Sequence, residues 1–341
     1  MGAAGPSQGA QAPSGGSAVL ASSGNADAGA VTSVGASFSA INLNAQPSAG
    51  FVAKLEQTKT ALRQVVADYP RTSDDRDPLV TQASSLGAED MVISHLINTL
   101  ELDASIFVLQ TGMLHRETLQ LLDQLKATSR VPVDIYRPQT EAVLQFVARE
   151  GTQAMYKSIE LRKACCGIRK MEPLERALAG KKAWITGLRR EQSGARAEVP
   201  LRDHSDPRRV KLNPLADWSW GDVWHYISQH QVAYNPLHDQ FFPSIGCAPC
   251  TRAISLGEDF RAGRWWWESE DAKECGLHVK PHSSPEGAAA RSDASGFASA
   301  QADFAASEVK DAAASGRSQS EAAKECGLHV AKTSSLEEST Q

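Results

Sequence analysis

The sequence predicts an α/β fold, a mostly parallel sheet with helices on both faces. Two observations carry this. Between 79 and 150, strand-like and helix-like stretches alternate with short connections, and a further strand and helix follow 183. Such alternation is the mark of a parallel sheet covered by helices. LVTQASS (79–85) reads as a short strand, and EDMVISHLINTL after it carries Met91, Val92, Leu96 and Leu100 as a helical stripe. SIFVLQT (105–111) is the next strand, HRETLQLLDQLKA (115–127) a helix, VPVDIYR (131–137) a strand and TEAVLQFVARE (140–150) a helix. AWITGL (183–188) is another strand. SWGDVWHYISQH (219–230) is a helix with Ser219 and Asp222 spaced as a capping box and Trp220, Val223, Trp224 and Ile227 on one face.

The chain has 341 residues, and its 41% hydrophobic content is concentrated between about 49 and 280. Residues 1–48 are mostly Gly, Ala, Ser, Pro and Gln, and 281–341 are similarly poor in large side chains, so both ends read as disordered tails. The N-terminus has neither a basic segment followed by an apolar one nor an Arg-rich amphipathic pattern, and Pro6 stands where an N-myristoylation signal wants Ser or Thr. No apolar run is long enough to cross a bilayer. The expected setting is therefore cytoplasmic, with no membrane partner, and cysteines there serve metals or chemistry rather than structural disulfides. A net charge of −5 argues against a general nucleic-acid binder.

SSLGAED (84–90) leaves the first strand and enters the first helix, where an open sheet of this kind places its ligands. The hydroxyls of Ser84 and Ser85, Gly87 and free N–H groups can cradle a phosphate there; the plainer reading is an ordinary turn. Four of the six cysteines form two pairs, Cys165-Cys166 in LRKACCGIRK and Cys247/Cys250 in GCAPCTR. Two such pairs can complete a four-ligand metal site. Adjacent side chains on a helix point ~100° apart, which suits something wider than one ion, such as an iron–sulfur cube. Zinc, buried free thiols and a redox-active C-x-x-C are the alternatives. Arg162, Lys163, Arg169 and Lys170 surround the first pair, Arg189 and Arg190 follow the AWITGL strand, and Arg261 and Arg264 flank three successive tryptophans in RAGRWWWE (261–268). These can meet an anionic substrate, although charge runs are commonly solvated surface and the tryptophans can serve as a hydrophobic clasp. The stretch KECGLHV occurs at 273–279 and again at 324–330.

With these pieces in place, the sequence resembles the assimilatory phosphosulfate reductases, in particular the iron–sulfur branch that acts on adenylyl sulfate (adenosine 5′-phosphosulfate). The likeness runs from about 50 to 280 and rests on SLGAED, TG-x-LH-x-ET, ELRKACCGIRKMEPL, TGLRREQS, KLNPLADWSW, YNPLHDQ, SIGCAPCTR and RAGRWWWE followed by KECGLH. The branch using the 3′-phosphorylated substrate typically lacks both cysteine pairs. The resemblance implies a fold like the adenine-nucleotide PP-loop hydrolases, with 84–90, including Glu89 and Asp90, as the modified phosphate loop. It implies a [4Fe-4S] cluster on Cys165, Cys166, Cys247 and Cys250, with Lys170 close to cluster and substrate. Arg261, Arg264 and His278 fall on family positions that contact the phosphosulfate, and Arg189 and Arg190 lie in the family's Arg-containing loop. One departure is LQTGMLHRET (109–118), where the family has LDTG-R-LHPET: Gln110 replaces an acid, Met113 a base and Arg116 a proline.

The resemblance divides the chain into a tail (1–48), a reductase domain (49–268), a mobile catalytic segment (269–280) and a tail with the duplicated motif (281–341). It implies attack on the phosphosulfate sulfur by Cys275, AMP as leaving group, an S-sulfo-cysteine intermediate and release of sulfite by thioredoxin. Cys275 follows the RAGR arginines at the family's distance from Cys250, whereas Cys326 lacks them and reads as a passenger of a tail duplication. Other readings stay open: a reductase of the 3′-phosphorylated substrate, a PP-loop ATP pyrophosphatase, which should show SGG-x-D-[ST], and a zinc-binding interaction module, which leaves KECGLH and the arginines idle.

Overall fold

A computed structural model describes residues 39–269. They fall within the first of two units of the chain, Met1–Lys280; the second is Pro281–Gln341. The expectations for Cys275, His278 and Cys326, for 270–280 and for the two tails up to 38 and from 281 lie outside the described residues.

Six strands form one sheet in the order β3-β2-β1-β4-β6-β5. They are β1 (Val80–Ser84), β2 (Ser105–Leu109), β3 (Val133–Tyr136), β4 (Ala183–Ile185), β5 (Arg202–Asp203) and β6 (Val210–Leu212). All neighbours run parallel except β5 and β6, so the mostly parallel sheet is as expected. The chain winds outward from β1 to β3 and then returns to β4 on the other side of β1. The order of winding therefore reverses between β1 and β4, and a crevice forms there at the carboxyl ends of the strands.

Period-2 alternation assigns the faces. Ile106, Val108, Ala183 and Ile185 join the main core with α2 (Phe51–Asp68), α3 (Ala88–Thr99), α4 (Arg116–Thr128) and α8 (Trp220–His230). Phe107 and Trp184, one residue out of phase, pack on Leu174, Ala177 and Leu178, in or just after α7 (Glu172–Ala177). Helices thus cover both faces, because β2 and β4 carry apolar side chains on both sides. The capping box expected at α8 is present, with Ser219 accepting from Asp222 N–H at 3.0 Å and Asp222 accepting from Ser219 N–H at 2.9 Å.

Order begins upstream of the expected boundary at 48. α1 (Ala40–Asn44) buries Ala40 in the main core, and Asp222 of α8 accepts hydrogen bonds from Ser48 N–H at 2.7 Å and Ser48 Oγ at 3.0 Å. α5 (Thr140–Glu150) matches the expected helix. α6 (Ile159–Cys166) carries the first cysteine pair and continues through a π turn, Gly167–Met171, into α7. That turn places Arg169 and Lys170 directly after the thiols, and π turns of this sort recur at functional sites. Among the described residues no helix is long and apolar enough to cross a membrane.

Candidate active site

A cavity of about 220 Å³ opens at the carboxyl ends of β1, β2 and β4, where the topology expects one. Ser84, Ser85, Gly87, Glu89 and Asp90 line one side. The loop they form leaves β1 through Leu86, which is held at φ 63, an uncommon conformation for a branched residue, and Gly87 is the N-cap of α3. The donors of Ser85 are engaged within the loop: Asp90 Oδ2 accepts from Ser85 N–H at 2.7 Å and from Ser85 Oγ at 2.6 Å. Burial raises the Asp90 carboxyl to about 6. A Cβ on Gly187 would stand 2.5 Å from Asp90 Oδ1 and 2.9 Å from Glu89 Cβ, so glycine lets β4's exit pass against the loop.

The cations divide into two groups. Lys170, Arg261 and Arg264 line the cavity, whereas Arg189 and Arg190 do not. Arg189 is buried and donates from Nε to Glu89 at 2.9 Å, which also accepts from Gln192 at 2.9 Å. Arg190 turns outward to pair with Asp217 and donates to Val199 O. In this arrangement Arg189 holds the loop through Glu89. Sequence reasoning did not single out Thr111, Gln192, Arg196 and His238, which also line the cavity. For Thr111, Gln192 and His238 the signal was limited to their presence in TGMLH, REQ and NPLHD, and Arg196 lies outside these stretches. Burial depresses His238 to about 4, so its ring is neutral at physiological pH.

The four cysteines meet at a second, narrower cavity, which all four line together with Met113, Met155, Arg162, Arg169, Lys170 and Trp265. Cys165 and Cys166 arrive on α6. Cys247 and Cys250 arrive on a turn bridged to the loop after β2, where Leu114 pairs with Cys247 and Ala248 N–H donates to Met113 O at 2.7 Å. In that loop Gln110 Oε1 accepts from Gly112 N–H at 2.7 Å, which closes the turn. Burial pushes the Cys250 thiol up to about 11 and raises Cys165, while Lys170 opposes the shift at both. No group of three or more His, Cys, Asp or Glu among the described residues is arranged to hold a single metal ion.

Lys170, Cys247 and Trp265 line both cavities. The segment after the second cysteine pair folds back onto it: Thr251 bridges Arg264, and Trp265 N–H donates to Cys250 O at 3.2 Å. Trp265 is buried with φ 43, and the Arg162 and Arg264 guanidinium carbons each lie 4.7 Å from its ring centroid. Trp266 is exposed and Trp267 half-buried, so the three tryptophans divide between core and surface.

Residues 79–253 match the family described as phosphoadenosine phosphosulfate reductase domain. An adenosine 5′-phosphosulfate reductase of Allochromatium vinosum is 53% identical over 197 residues, covering 58% of this chain and 77% of that protein. One of Burkholderia cepacia is 50% identical over 228 residues, covering 67% of this chain and 88% of that protein. Among solved structures, a phosphoadenylyl-sulfate reductase from Candida auris in a phosphate complex is 24% identical with a TM-score of 0.46, covering 56% of this chain and 88% of that one. The half-chain family match and the extended identity to these reductases agree: the chain belongs to the phosphoadenosine phosphosulfate reductase domain family.

Proposed function

We propose that this chain is an oxidoreductase that reduces adenylyl sulfate to sulfite and AMP, with thioredoxin as the dithiol reductant, in assimilatory sulfate reduction for cysteine biosynthesis. The observation that carries the reading is the common wall: Lys170, Cys247 and Trp265 line both the anion-suited cavity and the four-cysteine site. Relatives named adenosine 5′-phosphosulfate reductase at 53% and 50% identity support the substrate. Both cysteine pairs favour it over the 3′-phosphorylated compound.

The nucleophile in this reading is Cys275, seven residues beyond Glu268 in the segment 269–280. Its thiolate attacks the sulfate sulfur, the S–O bond to the phosphate breaks, and AMP leaves with that electron pair, giving Cys–S–SO₃⁻. A thioredoxin thiolate then attacks the Cys275 sulfur and sulfite leaves; the second thioredoxin thiol resolves the mixed disulfide, so both electrons come from thiols. Lys170, Arg261, Arg264 and His278 offset the charge of substrate and leaving group. Ser84, Ser85 and Gly87 place the nucleotide phosphate at the start of α3, and Arg189 keeps Glu89 and the loop in position. Reduced thiols as reactants fit a cytoplasmic setting.

A [4Fe-4S] cluster fits the donor set: four thiols line one cavity from two separate elements, and a cube takes one thiolate per corner iron. Cys165, Cys166, Cys247 and Cys250 would hold it, and Lys170 and Arg169 ease the ionisation its binding requires. When bound, such a cluster supplies fixed charge beside the substrate cavity and order to the elements around it.

The test is turnover of anaerobically purified protein with reduced thioredoxin. Sulfite and AMP in equal amounts, with a higher kcat/KM for adenylyl sulfate than for the 3′-phosphorylated substrate, support the assignment. A preference for the latter, or no sulfite from iron-replete protein, overturns it.

A further inference from the structure

The last described turn of the chain is fastened to the cysteine helix by a buried ion pair. Arg162 stands one turn before Cys165 and Cys166 on α6. It donates from Nε to Glu268 Oε1 at 2.9 Å and from Nη2 to Oε2 at 2.7 Å, a two-pronged contact. The two side chains are only 1% and 3% exposed. The same guanidinium covers Trp265, which is held in the left-handed region at φ 43. A bulky residue persists in that conformation only where its surroundings over-determine it.

A buried ion pair is a weak source of stability, because desolvation offsets much of the attraction. Its geometry is nevertheless demanding, since either charge left alone in the interior is costly. The pair's location gives that demand a use. Glu268 precedes Cys275 by seven residues, so the intervening chain can span at most about 25 Å. Trp265, three residues before Glu268, lines both cavities. Where Glu268 is held therefore limits where Cys275 can go.

We infer that Arg162 and Glu268 are positioning residues, whose ion pair fixes the point at which the Cys275 segment begins and ties that point to the helix carrying Cys165 and Cys166. The inference rests on the proposed role of Cys275. Neither residue is placed on the reacting atoms; they act by keeping the nucleophile's tether short and correctly rooted, which raises its effective concentration at bound substrate. Loosening the root slows the chemical step and leaves substrate binding in place.

The experiment uses full-length protein matched for iron content, comparing wild type with Glu268→Gln and with the double variant Arg162→Met/Glu268→Met. The double variant removes both charges and keeps bulk, so it stays informative if the single variant folds poorly. Single-turnover sulfonation of Cys275 by adenylyl sulfate, without thioredoxin, is expected to slow about tenfold or more, while the substrate Kd stays within about threefold. Amide exchange across 264–268 is expected to quicken in both. Wild-type sulfonation rates in a folded variant overturn the inference, as does a fall in rate matched by an equal loss of binding, which would put the pair in the substrate site. If wild type itself acquires no sulfonate on Cys275, the functional reading fails, and unchanged exchange across 264–268 then overturns the fixture as well.

Discussion

The Arg264 guanidinium fills the space a side chain at residue 246 would need. A Cβ on Gly246 would come within 2.5 Å of Nη2 and 2.6 Å of Cζ. Gly246 directly precedes Cys247, so the absence of a side chain there lets one of the cavity's cations lie against the second cysteine pair. The guanidinium is fixed on its other sides by Ile245 O at 3.2 Å from Nη1 and by the Trp265 ring.

Gly246→Ala is therefore expected to displace Arg264 and not merely to crowd it. Overpacking of this size costs about 1–3 kcal/mol when neighbours must move. Adenylyl sulfate kcat/KM should fall by about tenfold or more, with most of the loss in any step where charge on the substrate grows. Steady-state kinetics beside a thermal melt checks this; an unchanged kcat/KM in a folded variant would remove Arg264 from the site.

Asp90 and His238 make opposing contributions to acid stability. Burial raises Asp90 from 3.8 to about 6 and lowers His238 from 6.5 to about 4. The stability from Asp90 is full below pH 3.8, where both states hold the proton, and is lost as pH rises through about 6. The stability from His238 is full above pH 6.5 and is lost as pH falls through about 4. Each shift corresponds to roughly 3 kcal/mol at full extent. Between pH 4 and 6 the two offset each other. Asp90→Asn removes one of them, so the variant's denaturation midpoint should fall more steeply than wild type's from pH 6.5 to 4.5. Urea titrations at four pH values measure it, and parallel profiles would contradict the assignment.

Metal analysis separates the cysteine readings. Anaerobically purified protein is expected to hold about four iron and four sulfide per chain. Cys250→Ser should lose most of that iron, together with the visible absorption, because a serine leaves one corner without a thiolate. Stoichiometric zinc in place of iron would overturn the cluster.

Much of the fold was legible in the sequence because short strand-like stretches, SIFVL of β2 the most apolar of them, alternate with helical stripes. β1, β2 and α5 fall where the pattern puts them, and α8 is marked by its Ser219/Asp222 box. α2 went unread although Phe51, Leu55, Thr58, Leu62 and Val65 already recur at helical spacing. β5 and β6 are two and three residues long, too short for alternation to register, and exist through pairing with partners elsewhere in the chain. In the site, adjacent arginines show how far sequence carries. Nothing in GLRR says that Arg189 turns inward to Glu89 while Arg190 turns outward to Asp217; that depends on a loop a hundred residues upstream. The cysteine pairs were the clearest signal, since their residue types and spacing are themselves the chemistry.

The central claim is a covalent sulfonate on one particular cysteine, and peptide mass spectrometry reads it directly. Anaerobic protein is mixed with adenylyl sulfate without thioredoxin and digested with trypsin. The Lys280-Pro281 bond resists cleavage, so Cys275 appears in ECGLHVKPHSSPEGAAAR and Cys326 in ECGLHVAK. The account predicts a sulfonate mass on the first peptide alone, removed by reduced thioredoxin with release of sulfite. No adduct on either peptide in cluster-containing protein, or an adduct confined to Cys326, would contradict it.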